Sequence, residues 1–187
     1  FIAAAPEAQI IFTKSLPAEA IQRASQLLWV QAGTAGINHL LENGLAEQDV
    51  LLTNASGAHG IPMAELILSM MLAFATGLHT LIRAQRDHAW ISEEVRTKKF
   101  ELEGQTLCVL GLGDIGGTLA RKAGRLGMYV LGVRRSTERF PDVDEQYGPD
   151  QLLDIFPRAD HVALCLPLTS ETEGIVGERE LRAMRPD

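Results

Sequence analysis

The hydrophobic positions of this chain fall into short apolar runs separated by longer amphipathic stretches. In the first sixty residues the runs AQIIF, LLWV and DVLLTN alternate with helical patterns that begin at Pro17 and at INHLLENG. After residue 104, the runs QTLCVL, MYVLGV and HVALCLP alternate with TLARKAGRLG and PDQLLDIFPRA, and GERELRAM follows. Strands that alternate with helices are typical of βαβ units. The pattern therefore predicts an α/β fold with parallel sheets.

Between the two series lies the turn-rich segment NASGAHGIP, which we take as the boundary between a domain at 1–60 and a domain at 61–187. One long apolar helix is predicted at 62–86. Its uncharged stretch, 66–82, is shorter than the roughly 20 residues that a membrane span needs, which favours a buried or interface helix. The polar stretches 87–104 and 134–148 are predicted to be connections.

Composition narrows the classes of partner. Hydrophobic residues make up 46% of the chain and aromatic residues 5%, with 17 Gly, which indicates the aliphatic interior of a parallel sheet. The net charge of −7 argues against nucleic acid or anionic lipid as a partner. Cys108 and Cys165 lie in apolar runs without the spacing of a metal site, so we expect no metal and a reducing, cytoplasmic location, and we see no targeting segment.

The glycines Gly111, Gly113 and Gly116 form a G-x-G-x-x-G motif between a predicted strand and a predicted helix, the context that a dinucleotide-binding fingerprint requires. The first glycine permits a tight turn, the second lets the backbone approach a diphosphate, and the third lets the helix pack closely on the strand. Amides at Asp114 and Ile115 would face the phosphates at the positive end of the helix. A structural turn without a ligand remains the alternative.

The strand after the motif ends in Arg134, Arg135 and Ser136, where NAD-preferring folds place an acidic residue on the ribose hydroxyls. An acid there would repel a 2′-phosphate, whereas a guanidinium forms charge-assisted hydrogen bonds with it. The sequence therefore predicts NADP as the preferred cofactor, with NAD also accepted. Solvated loop arginines are the alternative interpretation.

Four segments, WVQAGTAGINHL, LTNASGAHGIPMAELILSMMLAF, ELEGQTLCVLGLGDIGGTLARKAGRLGMYVLGVRR and ADHVALCLPLTSETEGIVGERELRAMRPD, resemble the D-isomer-specific 2-hydroxyacid dehydrogenase family, of the glyoxylate/hydroxypyruvate reductase type. The resemblance implies two doubly wound parallel-sheet domains: a flavodoxin-like substrate domain and a Rossmann dinucleotide-binding domain, with a cleft between them. It also implies hydride transfer between NADP(H) and a small 2-keto or 2-hydroxy acid, and a homodimer built on the nucleotide-binding domains.

The resemblance assigns substrate-binding residues in the loop AGTAG, where the amides of Thr34, Ala35 and Gly36 would hold the substrate carboxylate. An ordinary strand-to-helix turn is the alternative for this loop. Gly57 would lie near the substrate or the nicotinamide, and His59 is expected to be a hinge or packing residue.

Leu166 and Pro167 resemble the segment that flanks the adenosine half of the cofactor, although a buried strand entering a turn explains them equally. The catalytic Arg, Glu and His of the family lie beyond the segment that matches LRAMRPD. We therefore assign no catalytic residue and expect both domains to be incomplete, the first lacking its first strand. We also expect unpaired groups along the central fingerprint strand.

Two other functions stay open at this point. The first is a dinucleotide-sensing binding module, similar to a co-repressor, that has no turnover. The second is a protein that dimerises through the apolar helix and binds no nucleotide. The histidines His39, His79, His88 and His161 match no catalytic position, and we interpret each as structural.

Overall fold

The structure, a computed structural model, describes residues 2–186. The chain divides between His59 and Gly60 into two compact units, which we call the N-terminal unit and the C-terminal unit. Each contains one parallel sheet with helices between its strands. The predicted α/β class with parallel sheets is confirmed.

The N-terminal unit contains a three-stranded sheet in the order β1-β2-β3. Its elements are β1 (Ile10–Thr13), α1 (Ala18–Arg23), β2 (Trp29–Ala32), α2 (Asn38–Glu42) and β3 (Leu51–Thr53), with 3₁₀ turns at Ala5–Glu7 and Leu45–Glu47. The side chains of Leu16, Val30 and Leu40 are completely buried between sheet and helices. Strand β2 begins two residues later than predicted, because Leu27 and Leu28 precede the first paired residue, Trp29.

The C-terminal unit contains a four-stranded parallel sheet in the order β6-β5-β4-β7. Its strands are β4 (Thr106–Leu110), β5 (Tyr129–Val133), β6 (Glu145–Tyr147) and β7 (His161–Leu164). Its helices are α3 (Gly60–Ala75), α4 (Leu78–Arg86), α5 (Ser92–Arg96), α6 (Asp114–Arg125), α7 (Leu152–Ile155) and α8 (Glu178–Ala183). The strand order reverses between β4 and β7, and in open α/β sheets ligands bind at the carboxyl ends of the strands beside such a switch point.

Both faces of this sheet are covered. Leu107 and Val109 of β4 pack with α3 and α6 on one face, whereas Cys108 and Leu110 pack with the α7 region on the other. A strand that is buried on both faces needs a continuous apolar run, which is why TLCVL shows no alternation. Burial raises the pKa of the Cys108 thiol to about 12, so this cysteine is a neutral packing residue.

The predicted helix at 62–86 is two helices, and the single-helix prediction is wrong. The axes of α3 and α4 differ by 68°. The break lies at Gly77, whose φ of +70° ends the first helix and starts the second. Within residues 2–186 no single helix has the length and hydropathy to span a membrane, and only α3 and α4 taken together satisfy both conditions.

Strand β6 lies inside the segment 134–148 that was predicted to be a connection. Its Glu145 accepts hydrogen bonds from Arg158, Tyr147 and Tyr129, and these hold the pKa of this carboxyl well below its usual range, at about 2. Polar partners of this kind give no hydrophobic pattern, so the strand could not be recognised. The main-chain N–H of Val130 also donates to Asp144, directly before the strand (2.7 Å).

Two further expectations are corrected. The predicted helix at 149–159 is broken into 3₁₀ turns at Pro149–Gln151 and Phe156–Arg158 on either side of α7. The second break lies at Pro157, which has no N–H to donate. The expectation of an unpaired central strand is also wrong: β4 pairs with β5 on one side and β7 on the other. In the described part of the chain the two edge strands of this sheet are β6 and β7.

Candidate dinucleotide site

The glycine turn connects the end of β4 to the start of α6. Gly111 has a φ of +92°, and its N–H donates to the Val133 carbonyl (2.8 Å). A Cβ at this position would lie 2.8 Å from the carbonyl oxygen of Cys165. Both the left-handed backbone and the close approach of the segment after β7 therefore require glycine.

Gly116 lies in the first turn of α6, and a Cβ here would overlap the carbonyl oxygen of Gly111 and approach Val109 to 3.0 Å. The helix can lie this close to the end of β4 only because residue 116 has no side chain. Gly116 is therefore a packing glycine and is not on the wall of the cavity. Helix α6 begins at Asp114, four residues earlier than predicted.

Gly113 differs from the other two, because no atom lies within 4 Å of the position that a Cβ would occupy. It is the N-cap of α6, so the first amides of the helix, including Asp114 and Ile115, have no acceptor within the helix. An open approach, unpaired amides and a positive helix end are what a diphosphate needs. The turn therefore fits a dinucleotide.

A cavity of about 870 Å³ opens beside this turn, at the carboxyl ends of the strands. Its walls bring together seven of the residues predicted to bind cofactor: Gly111, Gly113, Arg134, Arg135, Ser136, Leu166 and Pro167. Asp114 and Ile115 lie on the helix behind the turn and do not line the cavity. Their predicted contribution is main-chain N–H, which needs no side chain on the wall.

The two arginines have different surroundings. Arg134 is half-buried, and its guanidinium lies 5.9 Å from the centre of the Phe140 ring. Arg135 is exposed and forms an ion pair with Glu171, which lines the same cavity from the segment after β7. Sequence reasoning missed Glu171, because no local pattern connects two residues that are 36 positions apart.

The loop 33–36, which contains the predicted substrate-binding residues 34–36, lies close to Asn54 in the N-terminal unit. Asn54 donates to the carbonyl of Ala35 (2.8 Å), and Thr34 donates through its hydroxyl to the carbonyl of Gly36 (2.8 Å). The carbonyl of Thr34 accepts from the N–H of Ala55 (3.1 Å). These bonds use the carbonyl oxygens of the loop and not its amides.

Gly57 has a φ of +92° with open space around it, which requires glycine for backbone reasons. The neighbouring His59 has a buried Nδ1 that lacks a hydrogen-bond partner within residues 2–186. Neither observation assigns a ligand to these residues.

Among the histidines interpreted as structural, His39 and His161 have hydrogen-bond partners from distant parts of the chain. His39 donates to the carbonyl of Lys14 (2.7 Å), and His161 lies 2.6 Å from the side-chain oxygen of Gln105. Burial lowers the pKa of His161, which favours the neutral ring. None of the described histidines lines the cavity. Within residues 2–186, no group of His, Cys, Asp or Glu side chains could hold a metal ion.

Comparison with curated proteins finds relatives along most of the chain. D-3-phosphoglycerate dehydrogenase of Methanocaldococcus jannaschii is 29% identical over 89% of this chain and 32% of its own length. Glyoxylate reductase of Thermococcus litoralis is 26% identical over 95% of this chain and 55% of its own length. The chain thus spans about a third to just over half of these two relatives.

Solved structures agree with this comparison. A D-isomer specific 2-hydroxyacid dehydrogenase family protein from Aeromonas salmonicida superposes with a TM-score of 0.80 at 31% identity, over 91% of this chain and 54% of its own. A D-isomer specific 2-hydroxyacid dehydrogenase from Xanthobacter autotrophicus, solved with NADPH and MES, gives 0.77 at 26% identity, over 96% of this chain and 56% of its own.

The family model "D-isomer specific 2-hydroxyacid dehydrogenase, NAD binding domain" matches residues 68–187, which include the glycine turn, the arginine pair and the segment after β7. The Rossmann strand order and the open amides of the turn agree with that match. The chain therefore belongs to the D-isomer specific 2-hydroxyacid dehydrogenase family.

Proposed function

We propose that this chain is part of an oxidoreductase that transfers a hydride between NADP(H) and a small 2-keto or 2-hydroxy acid. The single observation that carries the proposal is the cavity in which an open glycine turn and two arginines meet at the carboxyl ends of β4 and β5. Domain 61–187 would bind the dinucleotide, and domain 1–60 would contribute to substrate binding.

In this proposal the N–H groups at Gly113, Asp114 and Ile115 bind the diphosphate, assisted by the positive end of α6. Leu166 and Pro167 form the apolar wall for the adenosine half. A dinucleotide held by these residues would supply hydride chemistry at C2 of the acid: hydride to the keto carbon of a 2-keto acid, or hydride from the carbinol carbon of a 2-hydroxy acid. The amides of Thr34, Ala35 and Gly36 would bind the substrate carboxylate.

The arginine pair supports a preference for NADP over NAD. Arg135 is exposed at the cavity, so its guanidinium is accessible to a 2′-phosphate, while Arg134 is held over Phe140. Ser136 adds a hydroxyl on the same wall. The relative from Xanthobacter autotrophicus was solved with NADPH, which supports NADP(H) as a cofactor for a site of this kind.

Replacement of Arg135 tests the preference directly. We expect Arg135→Gln to weaken NADPH binding by about tenfold, because one charge-assisted contact to the 2′-phosphate is lost. NADH binding should change little. Titration of nicotinamide fluorescence with both dinucleotides measures this. The matched control is Arg139→Gln, which removes an exposed arginine from the same connection but outside the cavity; equal effects of the two variants would contradict the assignment.

For the substrate, we propose a small acid such as glyoxylate or hydroxypyruvate, in keeping with the relative named glyoxylate reductase. A panel of glyoxylate, hydroxypyruvate and bulkier 2-keto acids, assayed with NADPH and NADH, tests the reaction. The panel is assayed on a protein that also contains the family's catalytic Arg, Glu and His, because no catalytic residue is assigned within this chain. In that protein, binding of dinucleotide without turnover of any acid in the panel would favour the binding-module alternative. We also propose a cytoplasmic location and no nucleic-acid partner, in keeping with the free thiols of Cys108 and Cys165 and the net charge of −7.

We further propose that the protein forms a homodimer through α3. One stripe of this helix, including Ala64, Leu68 and Met71, is buried against the sheet and α6. A second stripe, at positions 63, 66, 70 and 74, is apolar and exposed, with Phe74 64% exposed. Monomeric proteins rarely leave such a continuous apolar surface in water, so a second copy of the chain is the proposed cover.

A charge in the middle of this stripe should prevent the association. We expect Met70→Glu to convert the dimer to monomer at micromolar concentration, because each copy would bury an unpaired carboxylate in the interface. Light scattering after size exclusion measures the mass. Leu181→Glu on α8, also at an exposed apolar position, is the control that should remain dimeric. A monomeric unsubstituted protein would contradict the proposal.

A further inference from the structure

Glu171 is a carboxylate inside a cavity that the proposed function assigns to an anionic ligand. Arg135 follows β5 and Glu171 follows β7, so the two residues approach from opposite sides of the switch point between strands. Both line the cavity, and the guanidinium of Arg135 donates to the carboxylate of Glu171. The group that would attract a 2′-phosphate therefore already has an anionic partner.

The position of Glu171 is fixed by a hydrogen-bonded turn. The hydroxyl of Thr172 accepts from the N–H of Thr169 (2.9 Å) and donates to the carbonyl of Pro167 (2.5 Å). The N–H of Glu173 donates to the carbonyl of Thr169 (2.9 Å). The turn thus holds the carboxylate at residue 171 beside the cavity and leaves Glu173 exposed outside it.

We propose that Glu171 is a specificity-determining residue, which weakens selection of NADP over NAD by neutralising Arg135. This inference rests on the proposed dinucleotide function. The 2′-phosphate must displace Glu171 from Arg135, which an exposed ion pair permits at small cost. The displaced carboxylate stays on the same short turn, within the Debye length of about 10 Å at 0.1 M salt, and continues to repel the phosphate.

The same contact leaves NADH binding almost unaffected. A free 2′-hydroxyl carries no charge, so its contact with this part of the cavity does not require Arg135 to be released. The ion pair would therefore act as a partial compensation: two arginines at the end of β5 would favour the extra phosphate, and the carboxylate from the β7 side would reduce that advantage. Removal of the negative charge should sharpen selectivity.

The test uses two ligands that differ only in the 2′-phosphate, ADP-ribose and 2′-phospho-ADP-ribose, and titration calorimetry of the purified protein. We expect Glu171→Gln to strengthen binding of 2′-phospho-ADP-ribose by about fivefold, with the affinity for ADP-ribose within about twofold of the unsubstituted protein. Glu173→Gln is the matched control, since it removes the same charge from the same turn but not from the ion pair. It should leave the affinity for ADP-ribose unchanged and change that for 2′-phospho-ADP-ribose by less than about twofold, because Glu173 acts on the phosphate only through solvent.

A second comparison uses the Arg135→Gln background. If Glu171 acts by neutralising Arg135, Glu171→Gln should strengthen binding of 2′-phospho-ADP-ribose less when Arg135 is absent. The gain in binding free energy should fall to less than half of that in the unsubstituted background. The inference would be overturned if Glu171→Gln left the ratio of the two ligand affinities unchanged, changed only the affinity for ADP-ribose, or had the same effect as Glu173→Gln. An undiminished gain in the Arg135→Gln background would overturn it as well. Each of these results would leave the proposed function standing. Failure of the unsubstituted protein to bind either ligand would overturn the proposed function as well.

Discussion

Gly113→Ala is expected to weaken NADPH and NADH binding by about 100-fold, or roughly 2.7 kcal/mol, while the protein stays folded. A Cβ at this position meets no atom of the protein, and the φ of −79° suits an alanine. The methyl group would instead occupy the space through which a diphosphate reaches the first amides of α6. Fluorescence titration measures the affinity, and thermal unfolding checks the fold.

The matched control is Gly124→Ala, near the other end of α6, where a Cβ also meets nothing. This variant should bind both dinucleotides normally. If Gly113→Ala kept normal affinity for both ligands, the diphosphate would not contact the turn, and the proposed dinucleotide site would be wrong. Unfolding of the Gly113→Ala protein would show that the surroundings of residue 113 are not open as described.

Gly116→Ala is expected to lower the free energy of unfolding by at least about 3 kcal/mol, because its Cβ would overlap the carbonyl oxygen of Gly111. The obstacle is main chain, so the strain is relieved only if α6 moves away from β4. For a protein of this size the corresponding fall in melting temperature is roughly 6–12 °C. Thermal and urea unfolding of both proteins measure the change.

Gly124→Ala again provides the comparison, because it should raise the free energy of unfolding. In an exposed helical position without steric conflict, alanine is favoured over glycine by up to about 1 kcal/mol. The same chemical change in one helix should therefore destabilise at residue 116 and stabilise at residue 124. A Gly116→Ala protein as stable as the unsubstituted one would show that α6 does not lie against the glycine turn as described.

These substitutions test the separate roles that the sequence predicts for the glycines of the turn. The G-x-G-x-x-G spacing predicted the roles of Gly111, Gly113 and Gly116 from the general properties of such turns, and the geometry of each position agrees. The roles themselves differ: two glycines are required by backbone and packing, and one leaves the approach to the amides open. That distinction depends on which atoms surround each missing Cβ.

The sequence also placed the strands better than the helices. The apolar runs of β4 and β5 are continuous because both faces of the sheet are buried, so they could be recognised from hydrophobicity alone. The break at Gly77 was missed because an apolar helix continues on both sides of it. Strand β6 was missed because it has no apolar run: its Glu145 is bound to Arg158 and Tyr129, and only Tyr147 packs against the core.

By itself, the sequence determined the α/β class, the parallel strands, the glycine turn and the two arginines after β5, because each depends on the local order of residue types. Only the tertiary structure decided that Glu171 faces Arg135, and that β4 lies between β5 and β7. The physical reason is that contacts between residues far apart in the chain depend on strand order and on turn geometry. No local pattern of hydrophobic and polar residues encodes either of them.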